Sequence, residues 1–216
     1  MIKDICKATE DASKDDKIRC VILTGVGLGF CAGADLSEDG DQEWTDTEDA
    51  LVRGYKPSLL NIINMPKPVI AVVNGAAAGI GSAYAMACDL TIMADDAFIL
   101  QAFSNIGLIP DGGANWLLAN TIGYKNAYQI AIEGDRIPAS RCLELGLINK
   151  VVKSEQLLIE AQSWAKRLVE RSPQSLNYTK KVMRKALNST YEEIYDLEAN
   201  IQNDLIGSPD NQEGVK

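Results

Sequence analysis

The chain contains no histidine. That absence removes Ser–His and Cys–His nucleophilic pairs and imidazole metal ligands together, so proton transfer falls to Asp, Glu, Lys, Tyr or Cys. Cysteine is sparse and scattered: Cys6, Cys20, Cys31, Cys88 and Cys142 form no C-x-x-C pair and lie mostly in apolar stretches. Such residues read as reduced core side chains, with no disulfides and no thiolate metal site, and we expect no metal. No apolar run approaches the ~20 residues of a membrane helix, so no membrane partner is expected. Met1 leads directly into a charged amphipathic segment rather than the apolar core of a secretory signal, which points to the cytoplasm, or to an organelle matrix if a targeting segment has been removed. Positive charge is also short: 21 Lys and Arg face 30 Asp and Glu, a formal charge of −9. That balance repels phosphate backbones and argues against nucleic acid as a partner.

What is present is ordinary globular material. The chain has 216 residues, 46% of them hydrophobic and 24% charged, and at that length one enzyme-sized domain buries roughly 70% of its unfolded surface. Periodicity predicts a helix over 2–16, with Ile2, Ile5 and Cys6 on one face, and a buried strand over 20–24. The acidic stretch 37–49 reads as a solvated loop. Leu51, Tyr55, Leu59, Leu60 and Ile63 mark a helix ended by Pro66-Lys67-Pro68. A buried strand over 69–73, a small-residue helix over 79–88 and short strands over 90–93 and 97–100 follow. Beyond the turn 107–113 come helices over 114–121, 123–133 and 138–145, a strand over 148–152, and helices near 154–171, 173–187 and 190–206. The alternation predicts an α/β class, with 1–150 as the core and 151–216 as a helical region of the same domain.

Two stretches stand out: Gly29-Phe30-Cys31-Ala32-Gly33-Ala34-Asp35-Leu36 and Pro68-Val69-Ile70-Ala71-Val72-Val73-Asn74-Gly75-Ala76-Ala77-Ala78-Gly79-Ile80-Gly81. Each runs from an apolar strand into small residues that leave main-chain N–H groups unobstructed, and two such donors aimed at one point make an oxyanion hole. The rival reading is a dinucleotide site, because Gly25-Val26-Gly27-Leu28-Gly29 follows a strand. Its third glycine is missing, and no G-K-[ST] phosphate loop occurs anywhere.

Phe30-Cys31-Ala32-Gly33-Ala34-Asp35-Leu36, Pro66-Lys67-Pro68-Val69-Ile70-Ala71 with Asn74-Gly75, Cys88-Asp89-Leu90, and Ile106-Gly107-Leu108-Ile109-Pro110-Asp111 with Gly113 resemble the crotonase, or enoyl-CoA hydratase/isomerase, superfamily in order and spacing. The resemblance implies a spiral of ββα units with a C-terminal helical trimerisation region, assembling as trimers or as hexamers. It also implies an acyl-CoA thioester as substrate, with coenzyme A part of that substrate and no separate cofactor. It places the two oxyanion donors on the N–H groups of Ala34 and Ile80. Ala32, Gly33, Asp35, Leu36, Gly79, Gly81 and Phe103 then become the expected substrate-contacting residues. Family members usually begin with strands upstream of the first helix seen here, so those strands, part of the CoA cleft, are expected to be missing. Gln212–Lys216 is expected to stop where a final helix normally begins.

The resemblance also marks departures. Hydratases of the family carry two glutamates that hold a water, and their positions here are Ala83 and Phe103, neither of which can carry a proton. Asp111 remains. Alone it reads as a helix cap. Some isomerases of the superfamily, among them those resembling phenylacetate-pathway epoxide isomerases, use an aspartate in this Pro-Asp turn as catalytic base. One base suits a double-bond shift or epoxide-type ring opening through a thioester enolate. The alternatives are a hydratase, hydrolase or lyase using another acid, and a silent crotonase-fold protein that binds acyl-CoA. Tyr55 and Tyr84 are candidate pocket or core residues. Lys180, Lys181, Arg184 and Lys185 form a basic cluster that reads as a solvated helix face, or as contacts to CoA phosphates.

Overall fold

A computed structural model describes residues 1–35 and 44–216. Leu36 and most of the acidic stretch therefore lie outside the described residues.

Among the described residues, the core is two four-stranded sheets threaded by one repeating path. β1 (Val21–Thr24), β3 (Val69–Val73), β5 (Leu90–Ala94) and β8 (Lys150–Val152) form the first, in that order. All its pairs are parallel, with Val21 opposite Val69, Ile70 opposite Leu90 and Ile92 opposite Lys150. β2 (Gly29–Cys31), β4 (Ala76–Ala78), β6 (Phe98–Leu100) and β7 (Arg136–Pro138) form the second, parallel except for the last pair. Short links carry the chain from β1 to β2, from β3 to β4 and from β5 to β6, and a helical segment returns it each time. The expected spiral of ββα units is the fold that forms. All five residues of β3 are buried, as its unbroken apolar run requires of a central parallel strand covered on both faces.

Two strands escape sequence reading. β4 and β7 have three residues each, and β4 is Ala-Ala-Ala, which carries no β-branched signal; pairing with neighbours makes them strands. Pro138 ends β7 at the sheet edge, where its missing N–H costs no ladder bond.

Among the helices, α1 (Ile2–Lys14) packs on the helical return of the first unit. That return begins earlier than periodicity suggests: α2 (Thr47–Asp49), capped by the Asp46 side chain, runs into a π-helical turn (Ala50–Tyr55) and then α3 (Lys56–Asn64). α4 (Ile80–Ala87) and α5 (Ala114–Glu133) close the second and third units. Gly123, at φ 75 and ψ 160, breaks α5 into the two helices expected from the sequence.

α6 (Ala139–Glu144) leads toward β8, and α7 (Leu157–Val169) covers the first sheet through Leu157 and Ala161. α8 (Pro173–Ala186) is capped by Ser172, and α9 (Tyr191–Leu205) by a reciprocal Thr190–Glu193 capping box. A short α10 (Pro209–Gly214) follows, overlapping the place where the family resemblance puts the start of a final helix, nucleated by the Ser208 cap and Pro209 at its start. Among the described residues, no helix is long and apolar enough to cross a membrane.

The basic cluster on α8 divides. Lys181 and Lys185 are exposed. Lys180 and Arg184 instead turn inward to Asp89 at the entry to β5, at 2.7 and 3.4 Å, so neither a solvated face nor a CoA contact describes them. An unpaired carboxylate at the β3–β5 junction would be costly, and the two cations reach through the helix–sheet seam to satisfy it.

Candidate active site

β2 and β4 are parallel neighbours, with Gly29 opposite Ala76 and Cys31 opposite Ala77. Their outgoing turns therefore leave the sheet side by side. Gly33 and Gly79 have φ of 108 and 52, values that side-chain-bearing residues rarely adopt. The turns touch there: a Cβ at Gly33 would lie 3.3 Å from the Ala78 carbonyl oxygen, and one at Gly79 would lie 3.8 Å from both Gly33 Cα and Phe103 Cζ.

The N–H groups of Ala34 and Ile80 sit on these turns. Ile80 is the first residue of α4, so its N–H has no intrahelical acceptor. Ala34 donates no backbone hydrogen bond among the described residues. Gly81 is buried instead against the Cys31 carbonyl, off the cavity wall, where it holds α4 to β2.

Both turns open onto one cavity of about 640 Å³, whose wall includes Ala32, Gly33, Ala34, Asp35, Gly79 and Ile80. Phe103 and Asp111 reach the same cavity from the third unit. Phe103 follows β6, and Asp111 lies in the Pro110–Gly113 turn before α5. Gly112 seats that turn on α4: a Cβ there would fall 2.3 Å from Ile80 Cδ1 and 2.9 Å from Ala83 Cβ. The backbone thus settles directly on the residue after which the second turn becomes helix, and Asp111 is carried to the cavity beside Ile80.

Asp111 does not cap α5. The cap is Gly113, with no side-chain hydrogen bond, and it is the main-chain oxygen of Asp111 that accepts from Ala114 N–H at 3.0 Å. The Asp111 side chain is half-buried, and its Oδ1 is buried without a hydrogen-bond partner among the described residues. Burial raises its carboxyl pKa above the ordinary value. Tyr55, at the end of the π-helical turn, shares the wall; its phenol is raised first by burial and then by the charge of Asp111.

Tyr84 is different, buried in the core with its hydroxyl 2.6 Å from Ser58 Oγ and its pKa pushed up by burial to about 12. Of the two hydratase positions, Ala83 is fully buried behind Gly112 at 0% exposure, and Phe103, at 7%, presents a hydrocarbon ring to the cavity.

Further wall residues were not singled out from the sequence. Trp44, Leu51, Ile106 and Leu108 also line the cavity. Leu51 was legible only as a stripe position of a helix, whereas Tyr55 was already a candidate pocket residue. Trp44 sat in a stretch read as solvated loop, yet its ring packs on Gly54 beneath the Arg53 guanidinium, 5.6 Å away.

Comparison with known proteins agrees with this geometry. The model of the family described as enoyl-CoA hydratase/isomerase matches residues 1–216. The chain is 37% identical to the 1,2-epoxyphenylacetyl-CoA isomerase of Escherichia coli (strain K12), over 100% of this chain and 83% of that protein. It is 36% identical to a probable enoyl-CoA hydratase of Rhodobacter capsulatus, over 92% and 77%. The solved structure of an enoyl-CoA hydratase from Polaromonas sp. JS666 superposes with a TM-score of 0.93 at 33% identity, over 100% of this chain and 84% of that one. Two facing main-chain turns on a shared cavity, set in a ββα spiral and matched from end to end, make this chain a member of the enoyl-CoA hydratase/isomerase family of enzymes.

Proposed function

We propose that the protein is an acyl-CoA isomerase that shifts a double bond, or opens an epoxide-type ring, through a thioester enolate. The observation that carries this reading is the Asp111 carboxylate: it stands on the cavity wall with Oδ1 unpartnered, while both hydratase glutamate positions are filled by hydrocarbon. The similarity to a relative named 1,2-epoxyphenylacetyl-CoA isomerase supports it.

In this mechanism Asp111 removes a proton from C2 of a 3-enoyl-CoA. The C–H electron pair moves into the C1–C2 bond, and the carbonyl π pair moves onto the thioester oxygen. The N–H groups of Ala34 and Ile80 stabilise the resulting dienolate. Collapse of the oxyanion re-forms the carbonyl, the double bond moves to C2–C3, and Asp111 returns the proton to C4. No group beyond these side chains, main-chain donors and the thioester is required. Phe103 and the surrounding apolar wall keep out the water that hydration would use.

The test is incubation with 3-enoyl-CoA while the absorbance of the conjugated 2-enoyl product is followed, in parallel with ¹⁸O-labelled water. Conjugation without label incorporation is expected. Label entering the product at the rate of turnover would overturn the isomerase reading in favour of hydration.

The same reading includes assembly as a homotrimer, or as a hexamer made of two trimers. Large apolar side chains stand exposed on the C-terminal helices, Met183, Tyr191 and Tyr195 among them, which supports burial between copies. Sedimentation equilibrium checks it, and a monomer at micromolar concentration would exclude it.

A further inference from the structure

Ser82 and Gln101 are both at 0% exposure beneath the second turn, and neither belongs to the cavity wall. Ser82 Oγ lies 2.6 Å from the main-chain oxygen of Gly79, and Gln101 Nε2 lies 2.7 Å from Ser82 Oγ. An amide nitrogen has only hydrogens to offer, so Ser82 Oγ accepts from Gln101 and its own hydrogen is directed at the Gly79 carbonyl. The reverse amide orientation would orphan both N–H groups of a fully buried side chain. The observed one uses one of those N–H groups and, among polar atoms, leaves Oε1 without a partner.

The Ser82 N–H donates to the same carbonyl at 3.0 Å. The Gly79 oxygen thus receives two hydrogen bonds from one residue.

That carbonyl and the Ile80 N–H belong to a single planar peptide. Gly79, at φ 52 and ψ −128, is the cap residue of α4, and its carbonyl accepts the first bond of the helical turn from the Ser82 N–H. The Ser82 hydroxyl adds a second bond, and together the two fix the tilt of this plane. They also draw electron density toward oxygen through amide resonance, which makes the N–H at the other end a stronger donor. A buried hydroxyl and amide with one orphaned acceptor cost stability that an apolar pair of similar volume would avoid.

We propose that Ser82, oriented by Gln101, is a positioning residue: its hydroxyl holds and polarises the Gly79–Ile80 peptide so that the Ile80 N–H meets the thioester oxygen. The proposal rests on the oxyanion role given to Ile80 above.

The experiment uses the full chain and crotonyl-CoA carrying a ¹³C-labelled thioester carbonyl, with the bound carbonyl stretch read by difference infrared spectroscopy. Wild type is expected to lower the stretch below its value in water. Ser82→Ala should show a smaller shift and a kcat on 3-enoyl-CoA about two- to tenfold lower, with KM nearly unchanged. Ser82→Thr, which keeps the hydroxyl, should restore both, and Gln101→Leu should resemble Ser82→Ala. Should Ser82→Ala fail to fold, Ser82→Cys takes its place, having similar shape and a weak donor. A wild-type stretch retained in the variant, whether or not kcat falls, overturns the role of Ser82 and leaves the oxyanion reading standing. No lowering of the stretch in wild type overturns both.

Discussion

Lys180 Nζ lies 2.7 Å from Asp89 Oδ2, joining two residues 91 positions apart in the chain. The same carboxylate oxygen accepts from the Val69 N–H at 2.9 Å, and Lys180 also donates to the Ile62 carbonyl at 2.9 Å. One ammonium thus ties α8 to the end of α3 and to the β3–β5 junction that launches the second and third units. The Lys180 side chain is only 9% exposed, and burial lowers its pKa despite the favourable charge of Asp89. Lys180→Ala should destabilise the fold by about 3 kcal/mol, because it leaves a half-satisfied carboxylate in the seam. Joint replacement with Asp89→Asn should cost less than the sum of the single changes. Urea midpoints of the three variants measure the coupling, and strict additivity would deny it.

Asp111→Asn should lower kcat for isomerisation by about 10²- to 10⁴-fold. The fold should not suffer. Because burial raises the folded-state pKa above the unfolded value, the stabilising contribution of the protonated carboxyl is complete below that unfolded value of ~3.9. It is lost as pH climbs through the folded pKa. The asparagine variant, carrying no such proton, should therefore gain in Tm relative to wild type as pH rises from acid to neutral. The acidic limb of kcat/KM in wild type should be displaced upward from that of an ordinary aspartate. Melting curves across pH and a pH–rate profile check both, and a parallel pair of Tm curves would remove the linkage.

Gly79→Ala should fail in catalysis more than in folding. Its φ of 52 with ψ of −128 strains any residue with a Cβ by about 1–3 kcal/mol. Relief of that strain rotates the peptide carrying the Ile80 N–H. Loss of one oxyanion donor corresponds to about a 10²- to 10³-fold fall in kcat. Steady-state kinetics beside a thermal melt separates the two effects, and a variant with wild-type kcat would show that the turn is not used.

Phe103→Ala should open the cavity wall to water. The expected result is a stability loss of about 3 kcal/mol, with ¹⁸O appearing in a fraction of the product. Mass spectrometry of the acyl group after turnover in labelled water is the measurement. Product free of label would show that Phe103 does not guard against hydration.

Much of this protein was legible in sequence because its signals are local. β3, an unbroken apolar run rich in β-branched residues, read as a buried strand. The small residues around Gly33 and Gly79 announced turns with unobstructed main-chain N–H groups, and the family resemblance marked Ala83 and Phe103 as positions that carry no proton. The alanine strand β4 was silent, because Ala76–Ala78 becomes β only when β2 and β6 pair with it. Asp111 shows the division most clearly. Its sequence context permits either a helix cap or a base, since both are short acidic side chains ahead of a helix. The choice depends on where the carboxylate points, and that follows from Gly112 resting on Ile80 and Ala83, residues of another unit. Lys180 and Arg184 behave likewise: periodicity places them on a face of α8, but only the packing of that helix brings Asp89 within reach. The sequence by itself determined the longer strands and helices, the small-residue turns and the absence of histidine, and through the family resemblance the loss of the hydratase glutamates, because composition and local pattern carry them along the chain. Only the tertiary structure decided which polar groups meet, because the direction of a side chain and the partner of a buried charge are set by contacts between distant segments.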